Sequence, residues 1–71
     1  MKNLLEALLF SSPHPLAVEE MAKLVGASTE ETRQHLEELR QEYQGRDGGI
    51  IIRFRRDKWQ MVARPEYGAV I

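Results

Sequence analysis

Three helical segments, a three-residue link between the second and third, and an alternating run at residues 50–63 predict an α+β, mostly helical fold. The class is a winged helix–turn–helix: three helices followed by a β-hairpin wing, in a single domain over residues 1–71.

The first helix is expected over about residues 2–11. Projected at about 100° per residue, Met1, Leu4, Leu5 and Leu8 form its core stripe, Leu9 flanks that stripe, and Phe10 lies nearly opposite its centre. One face cannot bury all of these, so the helix is either central to the domain or shared with a second molecule. The "SSPHP" segment then breaks it, because Pro13 and Pro15 remove donors and push their predecessors out of helical geometry.

The second helix spans about residues 17–25, with Val18, Met21, Ala22 and Val25 as its apolar stripe and Gly26 placed to terminate it. Glu19 and Lys23 add a favourable i,i+4 pair. Ser28 and Glu31 have capping-box spacing, so a third helix starts there and runs to about Gln44. Its inward residues are Thr32, Leu36, Leu39 and Tyr43. Only "GAS" separates the two helices, which is the helix–turn–helix link.

The hairpin follows the "GRDGG" loop. Pairing residues whose numbers sum to 113 sorts its faces: Phe54–Trp59, Ile52–Met61 and Ile50–Ala63 on one side, Arg55–Lys58, Arg53–Gln60 and Ile51–Val62 on the other. The first set reads as the core face. The turn "RRDK" lacks an Asn-Gly signal, which leaves two-residue and four-residue loops equally open. Pro65 ends the second strand and fits the first position of a further helix. Met1 reads as a true N-terminus, and the apolar "PEYGAVI" reads as an end cut from a longer chain.

At 71 residues, with 42% apolar and 30% charged residues, the chain is near the lower size for folding on an apolar core alone. It contains no cysteine, so disulfides, thiolate nucleophiles and thiolate metal sites are excluded, and a reducing cytoplasm fits. "LLEALLF" is too short to cross a bilayer. The net charge of −1 hides an asymmetry: residues 1–44 carry −4 and residues 45–71 carry +3. Such a split marks either a polyanion-binding face or charge complementarity within or between subunits.

As a DNA reader the third helix is poorly equipped. Its five glutamates outnumber Arg33 and Arg40, and carboxylates beside phosphates gain nothing from counterion release. Direct DNA contact is therefore expected to be weak or absent. Where it occurs, it falls to Arg53, Arg55, Arg56 and Lys58 of the wing, side chains that equally serve to solvate an exposed strand and block edge pairing. The alternative function of this kind is a winged-helix transcriptional regulator contacting DNA through its basic wing.

Apolar surplus favours a protein contact instead. Leu5, Leu9 and Phe10 on the first helix and the outward pair Ile51 and Val62 on the wing are the expected interface residues, although a C-terminal tail covering Ile51 and Val62 stays open. Catalysis is not expected. His14 lies between prolines, His35 and Glu38 supply two metal ligands without a third, and "DGGI" precedes a strand and not a helix N-terminus. Ser11, Ser12 and Ser28 lack a nucleophile elbow or an adjacent base. No catalytic, metal or cofactor residue is assigned.

The run "LLEALLFSSPHPLAVEEMAKLVGASTEETRQHLEELRQEY" followed by "GGIIIRFRRDKWQMVARPEYGAVI" resembles the N-terminal domain of the segregation and condensation protein B (ScpB) family. The resemblance rests on the helix Glu6 to Phe10, the Pro15–Leu16 turn, the third helix from Leu36 to Tyr43, and the hairpin closing on Arg64 to Tyr67. "SSPHP" departs from the glycine-containing turn of the family. The resemblance implies a non-enzymatic, nucleoid-associated cytoplasmic subunit of the bacterial SMC–kleisin complex for chromosome condensation and partition in the cell cycle. It implies two winged-helix domains, the first giving a homodimer and the second chiefly engaging the kleisin ScpA, through which the SMC ATPase is reached. The chain then corresponds to an N-terminal fragment of a two-domain protein.

Overall fold

A computed structural model of the chain describes residues 1–68. The three helices are α1 (Lys2–Ser11), α2 (Val18–Val25) and α3 (Thr29–Gly45), and the wing strands are β2 (Ile50–Arg55) and β3 (Lys58–Ala63). A two-residue strand, β1 (Leu16–Ala17), lies between α1 and α2, and a short 3₁₀ helix, η1, covers Pro65–Tyr67. The sheet order is β1-β3-β2, which puts β3 in the middle and β2 at an edge. The winged helix–turn–helix fold is as expected from the sequence. The tail beyond Gly68, with the apolar run expected to continue it, lies outside the described residues.

Each helix boundary has a local cause. Ser12 ends α1 in an extended conformation and its hydroxyl donates to the carbonyl of His14 at 2.7 Å, so the chain turns before the prolines extend it into β1. At the start of α2 the Glu20 carboxylate accepts the Ala17 N–H at 3.1 Å, and Gly26 closes the helix at φ 73°. The Ser28 hydroxyl accepts the Glu31 N–H at 3.0 Å at the start of α3, one half of the expected capping box.

The core gathers Leu5 and Leu9 of α1, Val18 and Met21 of α2, Leu36, Leu39 and Tyr43 of α3, and Ile52 and Trp59 of the wing. The α2 and α3 stripes match their periodicity. The α1 stripe does not. Leu5 and Leu9 are buried, whereas Met1 and Leu4 are exposed and Leu8 is half-buried. Leu5 and Leu9 face α2, α3 and β3 together, and Lys2 and Glu6, at i,i+4, engage Glu42 and the Tyr43 phenol along the flank toward α3.

The hairpin register is Ile50↔Ala63 through Arg55↔Lys58, as the alternation requires. Its turn is the tight two-residue one, with Arg56 at φ 55° and Asp57 at φ 62°, a type I′ geometry that matches strand twist. Expected core burial fails at Phe54, which is 45% exposed. It sits on the edge strand, while its partner Trp59 sits on the central strand with β1 on its other side; the two rings meet at 4.7 Å and 41°.

Candidate protein interface

Among the described residues Phe10 is the most exposed large apolar one, at 80%. It shares the outer arc of α1 with Asn3 and Ala7, and a shallow groove there is walled by Glu6, by Tyr43 of α3 and by Met61 of β3. The wall is fixed in place, because the Tyr43 hydroxyl donates to the Glu6 carboxylate. That bond and partial burial raise the Tyr43 pKa above its ordinary 10.0. On the same flank Lys2 bridges Glu42 and Glu38, the latter at 3.7 Å, and its bond to Glu42 raises the ammonium pKa above 10.5.

The structure separates the five residues expected at an interface. Leu5 and Leu9 are 0% and 3% exposed and belong to the core, so they hold α1 in place and offer no surface. Their apparent surplus arose from projecting α1 against one neighbour, when it packs on α2, α3 and β3 together. Phe10 stands outside that packing. Ile51 and Val62 face each other in register and are half-buried, and Ile51 lines a second groove between the β2 edge and α3 with Arg40 and Gln44. Ile50 and Phe54, both exposed, extend the apolar edge of β2. Sequence parity assigns those two to the core; of that face of β2 only the central Ile52 is buried.

The basic half of the chain also divides. The half-buried Arg64 side chain donates to the carbonyls of Gly48, Tyr43, Gln44 and Arg46, closing the C-terminal end of α3. The Arg46 guanidinium lies 4.2 Å above the Tyr43 ring. Both are engaged with the end of α3. Arg53, Arg55, Arg56 and Lys58 are all exposed and, with Pro15 and Gln60, line a groove on the outer wing. The outward surface of α3 presents Glu30, Glu37 and Glu38 beside Arg33, as read from its sequence.

Among the described residues no group of three His, Cys, Asp or Glu side chains could hold a metal ion, and no helix is long and apolar enough to cross a membrane. His35 Nδ1 lies 3.7 Å from Glu38, whose carboxylate also faces Lys2 at 3.7 Å.

Comparison with known proteins places this architecture. Residues 3–71 match the family model described as segregation and condensation complex subunit ScpB. A segregation and condensation protein B from Desulforamulus reducens is 43% identical over 65 residues, covering 92% of this chain and 36% of that protein. The crystal structure of ScpB from Mycobacterium tuberculosis superposes with a TM-score of 0.89 at 28% identity, over 97% of this chain and 43% of that one. A dimer of a ScpB N-terminal domain complexed with a ScpA peptide superposes with a TM-score of 0.86 at 24% identity, covering 97% of this chain and 86% of that one. The chain thus spans about a third of the length of the curated relative. With the winged helix, the hairpin register and the Arg64-closed third helix all in place, the family match over residues 3–71 makes this chain a member of the segregation and condensation complex subunit ScpB family.

Proposed function

We propose that this chain is the homodimerising winged-helix module of a non-enzymatic subunit of the bacterial SMC–kleisin complex, acting in chromosome condensation and segregation. The observation that carries the reading is Phe10: an aromatic ring exposed beside a pre-formed groove on a helix whose Leu5 and Leu9 are already used in the core. A second copy of the chain is the occupant proposed for this face. Support comes from the similar ScpB N-terminal domain, which is a dimer holding a ScpA peptide. The kleisin ScpA is therefore the proposed partner, with the SMC ATPase reached through it, and the chain is proposed as the first of two domains. An acidic α3 surface agrees with protein contacts in place of base readout.

Phe10 is the principal interface residue in this reading, with Ile51 and Val62 contributing from the wing. Sedimentation velocity across a concentration series tests it. A micromolar dimer should move toward monomer in Phe10→Glu and Ile51→Glu while the helical circular dichroism is kept. A dimer that neither substitution weakens would refute the assignment.

A further inference from the structure

We infer that the outer face of the wing is a sequence-independent binding site for the phosphate backbone of duplex DNA. Four cations meet there. Arg53 and Arg55 stand two positions apart on β2, so they point to the same side about 7 Å apart. Lys58 lies across from Arg55 in register, and the two-residue turn adds Arg56 at the tip. All four are exposed, and none is in an ion pair among the described residues. Arg53 makes only a 3.4 Å bond to the neutral Gln60. Asp57 is the single acidic residue between Gly48 and Pro65.

The backbone at the tip is a separate observation. Arg56 adopts φ 55°, a conformation that favours glycine or asparagine over any residue with a long side chain. An arginine there disfavours the turn, so what it adds is its guanidinium, held outward at the end of the hairpin.

The composition of the groove selects the ligand. Protein interfaces centre on buried aromatic or aliphatic anchors. The side chains lining this groove are four cations, Gln60 and Pro15, with no aromatic among them. Phosphate contacts need only such cations and donors, and arginine meets a phosphate through two parallel N–H groups. Glu30, Glu37 and Glu38 keep α3 away from the major groove, so the duplex lies along the wing and its bases go unread. This differs from helix–turn–helix docking, in which the second helix of the motif reads bases. The site is separate from the Phe10 groove, and on the wing it adjoins Ile51, which lines a groove with Arg53.

The test is fluorescence anisotropy of a labelled 20-base-pair duplex of arbitrary sequence, titrated with the chain from low to moderate salt. Binding should weaken with salt at a slope of about −0.9 per phosphate engaged, with at most four engaged per chain. Arg55→Gln with Arg56→Asn, the latter suited to positive φ, should lower affinity at least about tenfold and flatten the slope by about two contacts, with circular dichroism unchanged. A scrambled duplex should bind equally. Absence of binding at low salt, an unchanged slope in the double variant, or displacement of the duplex by an equal charge concentration of polyglutamate would each overturn the site. Dimerisation is followed separately by sedimentation, so failure of one reading leaves the other standing.

Discussion

The Nη2 group of Arg64 donates to the carbonyl oxygen of Gln44 at 3.3 Å, joining the foot of the wing to the end of the third helix. The same group reaches the Tyr43 carbonyl at 3.3 Å and the Arg46 carbonyl at 2.5 Å, while the Arg64 N–H donates to Gly49 at 2.8 Å. One side chain thus satisfies carbonyls that the end of a helix leaves open and positions the 46–49 loop, on which the angle of the wing depends.

Arg64→Ala should therefore destabilise the chain by about 1–3 kcal/mol, since several charge-assisted bonds to backbone carbonyls, two of them partly buried, are lost at once. Arg64→Lys should recover only part of that, because an ammonium cannot span the same carbonyls with a planar fork. Urea unfolding followed by circular dichroism gives both values.

The Tyr43–Glu6 bond predicts a pH dependence. Its cause, a phenol donating to a carboxylate, raises the folded-state pKa of Tyr43 above 10.0. The stabilisation is fully present below that unfolded value and is lost as pH rises through the raised folded one. Tyr43→Phe should cost about 1 kcal/mol at neutral pH and should remove this alkaline loss. Thermal melts between neutral pH and strongly alkaline buffer, compared between the two proteins, check the sign.

At the wing tip, the double change Arg56→Asn with Asp57→Gly should stabilise the hairpin by about 1 kcal/mol, because both residues occupy positive φ. Arg56→Val should lose a comparable amount, since branching at Cβ is poorly tolerated there. Chemical denaturation midpoints distinguish the directions.

Two leucine and phenylalanine truncations on one helix should behave oppositely. Leu5→Ala opens a cavity in the core and should cost about 2–5 kcal/mol of folding stability. Phe10→Ala touches a ring that is 80% exposed, so folding of the monomer should change by no more than about 0.5 kcal/mol. Its effect should appear in the dimer dissociation constant, measured by sedimentation.

Much of this was readable in the chain because periodicity is local. The inward residues Thr32, Leu36, Leu39 and Tyr43, the α2 stripe, the stop at Gly26 and the register of the hairpin all follow from spacings of two or about 3.6 residues. β1 was not readable: two residues show no alternation, and Leu16–Ala17 become a strand only because Trp59 and Lys58 offer a partner. Nor was the commitment of Arg64 and Arg46 to α3, since a charge count cannot tell a ligand-binding cation from a helix cap.

The sequence by itself determined the three helices and the hairpin, their order, and the net charge of each half, because these depend on neighbours a few residues apart. The tertiary structure decided which apolar residues remain outside. Five large apolar residues of α1 satisfy more than one helical projection, and the choice came from packing against α2, α3 and β3 at once, elements distant in the chain. That rotation buries Leu5 and Leu9 and leaves Phe10 in solvent. Position along β2 did the same for Ile50 and Phe54, which lie toward its two ends and stay exposed while Ile52 between them, on the same face, is buried.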